Sequence, residues 1–301
     1  MTIVHVVDAF TSTPGEGNRA GVVLDADHLS DIEMQAIAAF AGYSETAFVL
    51  TAKSDEHDIH VRYFTPAHEV PICGHATIST HFLRAAQAND ADYEVRALTG
   101  AGTLPVTVKN SGAEALVTMT QGAVKYQDIL SDRQIETLIQ GLRIRPEDLV
   151  LDLPVQIVTT GHSKVMVPLT SQATINHLNP DYEILSALSR EIGCNGFFAF
   201  SIDGNEEQIE TNGRMFAPAI GIQEDPVTGN ANGPAGAYLW NYGYLPKHRE
   251  TTYPGHQGKA MGKPGTIFVT VTPPDTPSAN AAPSISIAGQ AVIVGERPYQ
   301  D

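Results

Sequence analysis

Apolar positions along the chain follow two periods, and the switches between them mark out its elements. Residues 2–10, 20–25, 46–51 and 58–64 read as strands, as do 153–160 and 163–169. Ser30 and Glu33 have the spacing of a capping box, and Ile32, Ala36, Ile37 and Phe40 follow at helical spacing as the apolar face. Gly42 stops that helix. A similar helix is predicted from Asp181 to Glu191, with Leu185, Leu188 and Ile192 on one side. Another, over residues 131–142, carries Ile135, Leu138, Ile139 and Leu142 as its buried stripe. Thr272 to Pro283, rich in Pro, Ala and Ser, reads as an exposed loop, and Ser284 to Val294 as one alternating strand.

This pattern is written twice. Arg62-Tyr63-Phe64-Thr65-Pro66-Ala67 reads against Arg214-Met215-Phe216-Ala217-Pro218-Ala219, about half the chain away. Gly74-His75-Ala76 matches Gly229-Asn230-Ala231, and each leads a helix-compatible segment, residues 76–87 and 231–242. Gly102 to Val108 pairs with Gly265 to Val271, and the helix ending at Gly42 with the one ending at Gly193. Four matches in one order are the signature of internal duplication.

Many strands and few helices in each half predict an α/β (α+β) fold of two similar lobes. Each lobe is expected to be a mostly antiparallel sheet rolled around a central helix, since no regular βαβα alternation is present. The expected division is residues 1–117 with a returning strand at 284–301, and residues 118–283. Substrates of two-lobed proteins bind between the lobes, so a cleft is expected there.

Composition narrows the partners. At 301 residues the chain is long enough for two cores, and its net charge of −16 is spread along it. Such a field repels nucleic acid and anionic membrane surfaces, and an anionic substrate needs a local electropositive device. No apolar run reaches the roughly 18 residues of a membrane span, and MTIVHVVDAF lacks the basic start of a signal peptide. Two cysteines, Cys73 and Cys194, argue against a disulfide framework and for a cytoplasmic setting.

Differences between the repeats point to chemistry. Anchored on Gly42 and Gly193, Ser44-Glu45-Thr46 faces Asn195-Gly196-Phe197, so Glu45 has glycine as its counterpart. A carboxylate between a helix end and an apolar strand is open to desolvation, which tunes it for acid/base work; the alternative is a solvated loop glutamate. The Gly74 and Gly229 helix starts offer free amides and positive dipole ends that suit a carboxylate, or are two tight turns. Glu224-Asp225-Pro226, in the region where the second half carries three extra residues before its glycine, suits a substrate bearing both an ammonium and a carboxylate, or is a solvated turn. A two-thiol racemase needs a cysteine on each side of the substrate. Cys73 has Thr228 as its counterpart, whereas Cys194 aligns with Tyr43, which disfavours that mechanism. No HxxEH, CxxC, Walker A, GxGxxG or GxSxG pattern is present, so no metal or cofactor is expected and the side chains alone carry the chemistry.

These residues carry a family resemblance. Val7-Asp8-Ala9-Phe10 with Gly17-Asn18, then Ser44-Glu45-Thr46-Ala47-Phe48, resembles the PhzF-like isomerases. So do Arg62-Tyr63-Phe64-Thr65-Pro66, Cys73-Gly74-His75-Ala76-Thr77 and Glu224-Asp225-Pro226-Val227-Thr228-Gly229. The match runs from residue 4 to about 295 and looks closer to the broad bacterial branch than to the phenazine enzymes. It implies the diaminopimelate-epimerase-like fold, a homodimer, and cofactor-free isomerisation of dihydro-3-hydroxyanthranilate by a proton shift. By position, Glu45 is implied as the proton carrier, with His75 and Asp225 polarising the substrate's hydroxyl and amino groups. Gly74 and Gly229 amides are implied to bind the carboxylate, and Asn18, Thr228 and Asn230 complete the substrate-binding set. Asn230 replaces the serine of the phenazine enzymes, which leaves substrate identity open.

The leading expectation is a cofactor-independent isomerase or epimerase that moves a proton on a small amino or hydroxy carboxylic acid. The alternatives are a non-catalytic small-molecule-binding or protein-interaction role, and the disfavoured two-thiol racemase.

Overall fold

The N-terminal alternation forms β1 (Thr2–Ala9) and β2 (Asn18–Val23), paired antiparallel with Ala9 opposite Asn18. The turn joining them is held by a buried carboxylate. Asp8 accepts two bonds from the Arg19 guanidinium, at 2.6 and 2.8 Å, and one from the Gly15 amide at 2.7 Å. Gly17 is obligatory there: at φ 64°, a Cβ would stand 2.1 Å from the Ala9 carbonyl oxygen. The computed structural model describes residues 1–88, 92–109, 115–204, 208–276 and 281–300; residues 277–280 of the expected Thr272–Pro283 loop lie outside them.

The chain divides into two compact units, Met1–Thr120 with Ala288–Asp301, and Gln121–Ile287. In the first, α1 (Asp31–Ala41) is followed by β3 (Thr46–Thr51), β4 (Ile59–Phe64) and the short β5 (Glu69–Val70). Then come α2 (Gly74–Gln87), β6 (Tyr93–Thr99), β7 (Gly102–Lys109) and β8 (Leu116–Thr120). The second unit contains β9 (Lys125–Ile129), α3 (Asp132–Leu142), β10 (Gln156–Thr159), β11 (Lys164–Leu169), α4 (Gln172–His177) and α5 (Tyr182–Ile192). It continues with β12 (Phe197–Gly204), β13 (Ile209–Ala217), β14 (Ile222–Asp225), α6 (Gly229–Asn241), β15 (Thr251–Gln257) and β16 (Gly265–Thr272). The single final strand expected from the alternation is in fact two, β17 (Ser284–Gly289) and β18 (Ala291–Tyr299). They break at Gln290, whose carbonyl accepts the Phe10 amide at 2.7 Å.

The two units have the same strand order. The first runs β18-β1-β2-β3-β4-β6-β7-β8, with β5 on the edge of β4; β2–β3 and β4–β6 are parallel and the rest antiparallel. The second runs β9-β10-β11-β12-β13-β15-β16, with β14 on β13; its parallel pairs are β11–β12 and β13–β15. These parallel pairs fall at the same places in both units. This is the α/β architecture expected from the pattern, a largely antiparallel sheet with one buried helix per unit.

That helix is α2 in one unit, packed on β1, β2, β3, β7 and β8, and α6 in the other, packed on β10, β11 and β16. Every residue of α2 from Gly74 to Leu83 is buried, although several are polar. Thr77 and Thr80 satisfy their hydroxyls by donating to the carbonyls of Cys73 and Ala76, both at 2.7 Å. Among the described residues, no helix is long and apolar enough to cross a membrane.

One predicted face is corrected. The Ser30–Glu33 capping box and the left-handed Gly42 stop bound α1 as expected, but its buried residues are Met34, Ile37, Ala38 and Ala41. Ile32 is 82% exposed. Phe40, half out of the core, packs edge-on to Tyr299 instead, with ring centroids 5.3 Å apart. For α5, Leu185 and Leu188 are buried as predicted, and Asp181 caps the helix by accepting from the Ile184 amide.

Candidate active site

Glu45 lies three residues past the Gly42 stop of α1 and one before β3. Its backbone is fixed by neighbouring β2, since its carbonyl accepts the Gly21 amide at 3.1 Å. The side chain is 17% exposed, and Oε2 lies 3.3 Å from His75 Nε2. His75 is the second residue of α2 and is itself buried. Ser44 Oγ also lies 3.3 Å from Nε2, so the carboxylate and the hydroxyl share one ring nitrogen. Cys73 Sγ lies beside the same ring, 3.4 Å from Nδ1 and 3.8 Å from Nε2. With the hydrogen on Nε2, His75 donates toward Glu45. The first unit thus brings Glu45, His75 and Cys73 together at the start of α2.

Glu45, Cys73 and His75 offer ligand atoms within 4.8 Å of one another. In this arrangement they do not converge on one ion. Sγ lies 3.8 Å from Nε2 and closer still to Nδ1, beside the ring rather than ahead of either lone pair. A sulfur sharing a zinc ion with Nε2 would stand about 5 Å from Nδ1, given ordinary zinc–sulfur and zinc–nitrogen bonds.

Neither buried helix has a side-chain cap at its start. Cys73 and Thr228 occupy the two N-cap positions in extended conformation without a side-chain capping bond. First-turn amides of such helices, Gly74 and Gly229 among them, keep their donor character toward anions. Thr228 turns its hydroxyl away from the helix and donates to Asp225 Oδ2 at 2.5 Å. Gln257 locks this corner: it accepts from the Thr228 amide at 3.1 Å and donates to the Asp225 carbonyl at 2.7 Å. Asn232 donates to the same Gln257 oxygen at 3.0 Å. Asn230 follows Gly229 and is half-buried, and Asn18 is buried as the first residue of β2. Gln257 escaped sequence reasoning because it reaches the corner from β15, far along the chain.

The acidic pair resolves into two different groups. Glu224 takes both bonds of the Arg214 guanidinium, at 2.8 and 2.7 Å, and the guanidinium also lies 5.0 Å from the Phe216 ring centroid. The first repeat has the same motif: Arg62 holds Glu69 by two bonds of 2.7 Å and lies 5.1 Å from the Phe64 centroid. Glu224 is therefore a frame residue. Across the short strands, Tyr63 faces Val70 and Met215 faces Asp225, so Asp225 is the acid without a counterpart in the first unit. The extra residues of the second repeat precede Glu224, in the 218–223 segment, within the region the sequence pointed to.

The thiols differ as well. Cys194 is buried, and burial raises its pKa, against the pull of nearby Lys164. Thr228 stands at the position equivalent to Cys73.

Two compact units of repeated topology, each with a buried glycine-led helix, now stand beside an acid–imidazole pair in one of them. A family model described as "Phenazine biosynthesis-like protein" matches residues 7–297. The chain belongs to this family. Over 292 residues it is 46% identical to the uncharacterised isomerase YddE of Escherichia coli K12, covering 97% of this chain and 96% of that protein. It is 30% identical over 292 residues to the trans-2,3-dihydro-3-hydroxyanthranilate isomerase of Pseudomonas chlororaphis, covering 96% of each. The crystal structure of a PhzF-family protein from Bacillus anthracis is similar at TM-score 0.87 and 33% identity, covering 100% of this chain and 99% of that one. The phenazine biosynthesis-like chain is an isomerase of small molecules with the diaminopimelate-epimerase-like fold.

Proposed function

We propose that this isomerase shifts a proton within a small amino or hydroxy carboxylic acid, with Glu45 as its one proton carrier and without a bound cofactor. The observation that carries the reading is the 3.3 Å contact between Glu45 Oε2 and the buried His75 Nε2, at a position where the other repeat has glycine. In the first step the Glu45 carboxylate takes a hydrogen from substrate carbon. The C–H bond breaks, an O–H bond forms, and the electron pair enters the adjacent unsaturated system. In the second, the Glu45 carboxylic acid returns the proton to another carbon of the same substrate and is again a carboxylate. Atoms and charge balance without an oxidant or reductant.

His75 and Asp225 polarise the substrate's hydroxyl and amino groups. Gly74 and Gly229 amides hold its carboxylate, with Asn18, Thr228 and Asn230 in contact. A homodimer in the cytoplasm belongs to the same reading. The name of the Pseudomonas chlororaphis relative supports a hydroxylated, aminated ring carboxylate as one member of the substrate class.

The test is proton exchange in D₂O followed by NMR. Wild type and Glu45→Gln are incubated with small amino, hydroxy and cyclohexadiene carboxylic acids. Wild type is expected to incorporate deuterium at one carbon of its substrate. Glu45→Gln should lose this by at least roughly 10²-fold while keeping binding within about tenfold. Near-normal exchange by Glu45→Gln would sink the proposal.

A further inference from the structure

Glu45 in the first unit is matched by a cation in the second. The Gly21 amide donates to the Glu45 carbonyl, and the Val165 amide donates to the Gly196 carbonyl at 2.9 Å. The shared main-chain bond makes Glu45 equivalent to Gly196, and Ala20, one residue before Gly21, equivalent to Lys164. One pair is therefore small on β2 and charged before β3, and the other is charged on β11 and small before β12.

The exchange is also one of space. A Cβ built on Gly196 would stand 2.9 Å from Lys164 Cδ and 3.2 Å from Cε. The lysine stem thus fills the volume in which a Glu45-like side chain would begin. Lys164 is 7% exposed, and its ammonium donates to the Ser163 carbonyl at 3.1 Å, the single hydrogen bond seen for it among the described residues. An ammonium has three donors. Burial presses the pKa of Lys164 down, and attraction from Cys194 and Asp225 opposes this. A buried cation is stable only when an anion answers it. In a chain of net charge −16, a buried ammonium with donors to spare is the electropositive device an anionic substrate requires.

We propose that Lys164 is an anion anchor of the second unit. Its ammonium takes the substrate's carboxylate, and the Asp225 carboxylate, held by Thr228, takes the substrate's amino group. The substrate class is accordingly an amino acid with an ionised carboxylate rather than a neutral amide or ester. This rests on the proton-shift reading for the identity of the site, but its test uses binding alone.

The probes are 2-aminobenzoate and 2-aminobenzamide, which share the ring and amino group and differ in charge. Each is titrated calorimetrically into wild type, Lys164→Met and Glu45→Gln. Wild type is expected to prefer the acid. Lys164→Met, which keeps the buried stem, should weaken the acid by roughly 10- to 100-fold, the worth of a charge-assisted hydrogen bond, and leave the amide unchanged. Glu45→Gln should keep the preference, whatever its effect on exchange. The proposal is overturned if Lys164→Met retains the wild-type preference, or if wild type binds the acid no better than the amide. Circular dichroism of Lys164→Met guards against misfolding, and Lys164→Arg should restore part of the preference if the charge is what matters.

Discussion

At the same point of the same strand order, one unit carries Ala20 and Glu45 and the other carries Lys164 and Gly196. Around that point the supporting frame is shared. Each unit has its arginine–glutamate pair under a phenylalanine, its glycine-led buried helix and its residue donating back to the N-cap carbonyl, Thr77 to Cys73 and Asn232 to Thr228. The frame is repeated; the charges are not. Cys73 becomes Thr228, His75 becomes Asn230 and Val70 becomes Asp225. What was duplicated is a way of presenting side chains at a helix start. The divergence is in the groups presented, acid and imidazole in one unit, ammonium and carboxylate in the other.

The comparison can be broken most forcefully at His75. His75→Asn gives α2 the residue that α6 has at the same step, and is expected to slow exchange by roughly 10²- to 10⁴-fold through loss of a positioned acid/base group. Exchange kinetics at saturating substrate check this, and an unchanged rate would mean that the two helix starts are interchangeable. Next is the frame. Arg214 and Glu224 are each only 10% exposed, and Arg214 also donates to the Ile175 and Leu178 carbonyls. Arg214→Ala leaves a buried carboxylate unpaired and should cost about 3–5 kcal/mol. Arg62→Ala, whose partner Glu69 is 43% exposed, should cost only about 1 kcal/mol. Urea unfolding of both variants tests the pair, and equal losses would refute the ranking.

A further effect is one of pH. His81 is fully buried in α2, where α6 has Gly236; burial, with Arg84 adding, pushes its pKa down to about 3. Unfolded, it takes up a proton as pH falls through about 6.5, whereas folded it stays neutral until about 3. Between those values the unfolded state holds more protons, so stability falls as pH falls. From pH 6.5 to 5 the loss assignable to His81 is about 2 kcal/mol. Unfolding at several pH values should show this slope in wild type and a flatter one in His81→Gln; identical slopes would remove His81 from the account.

Local signals in the sequence were the ones that transferred. Ser30 with Glu33 and Gly42, or Asp181 with Gly193, each satisfy a helix end within a few residues, so their meaning does not wait on the rest of the fold. The glycine-led starts at Gly74 and Gly229 and the asymmetry at Glu45 were legible for the same reason. The misread face of α1 shows where this stops. Ile32 and Phe40 share a helical period with Ile37, and only the arrival of Tyr299 and Arg297 from the far end of the chain decides where the Phe40 ring goes. Lys164 and Gly196 were invisible as a pair because they meet between parallel neighbours joined through two helices. Glu224 looked like half of an acidic pair until Arg214 on β13 claimed it.

The first unit is discontinuous. Its outer strand β18 pairs with β1 along nearly its whole length, and Arg297 donates to the Ala41 carbonyl at 2.8 Å. A ribosome reaches residues 288–301 only after the whole of the second unit. All of Gln121–Ile287 has by then emerged, while the segment that began first still presents the edge of β1 unpaired. The unit that holds Glu45 is thus completed only after the other has been made, and a nascent chain stalled short of β18 carries the acid without the strand that pairs with β1.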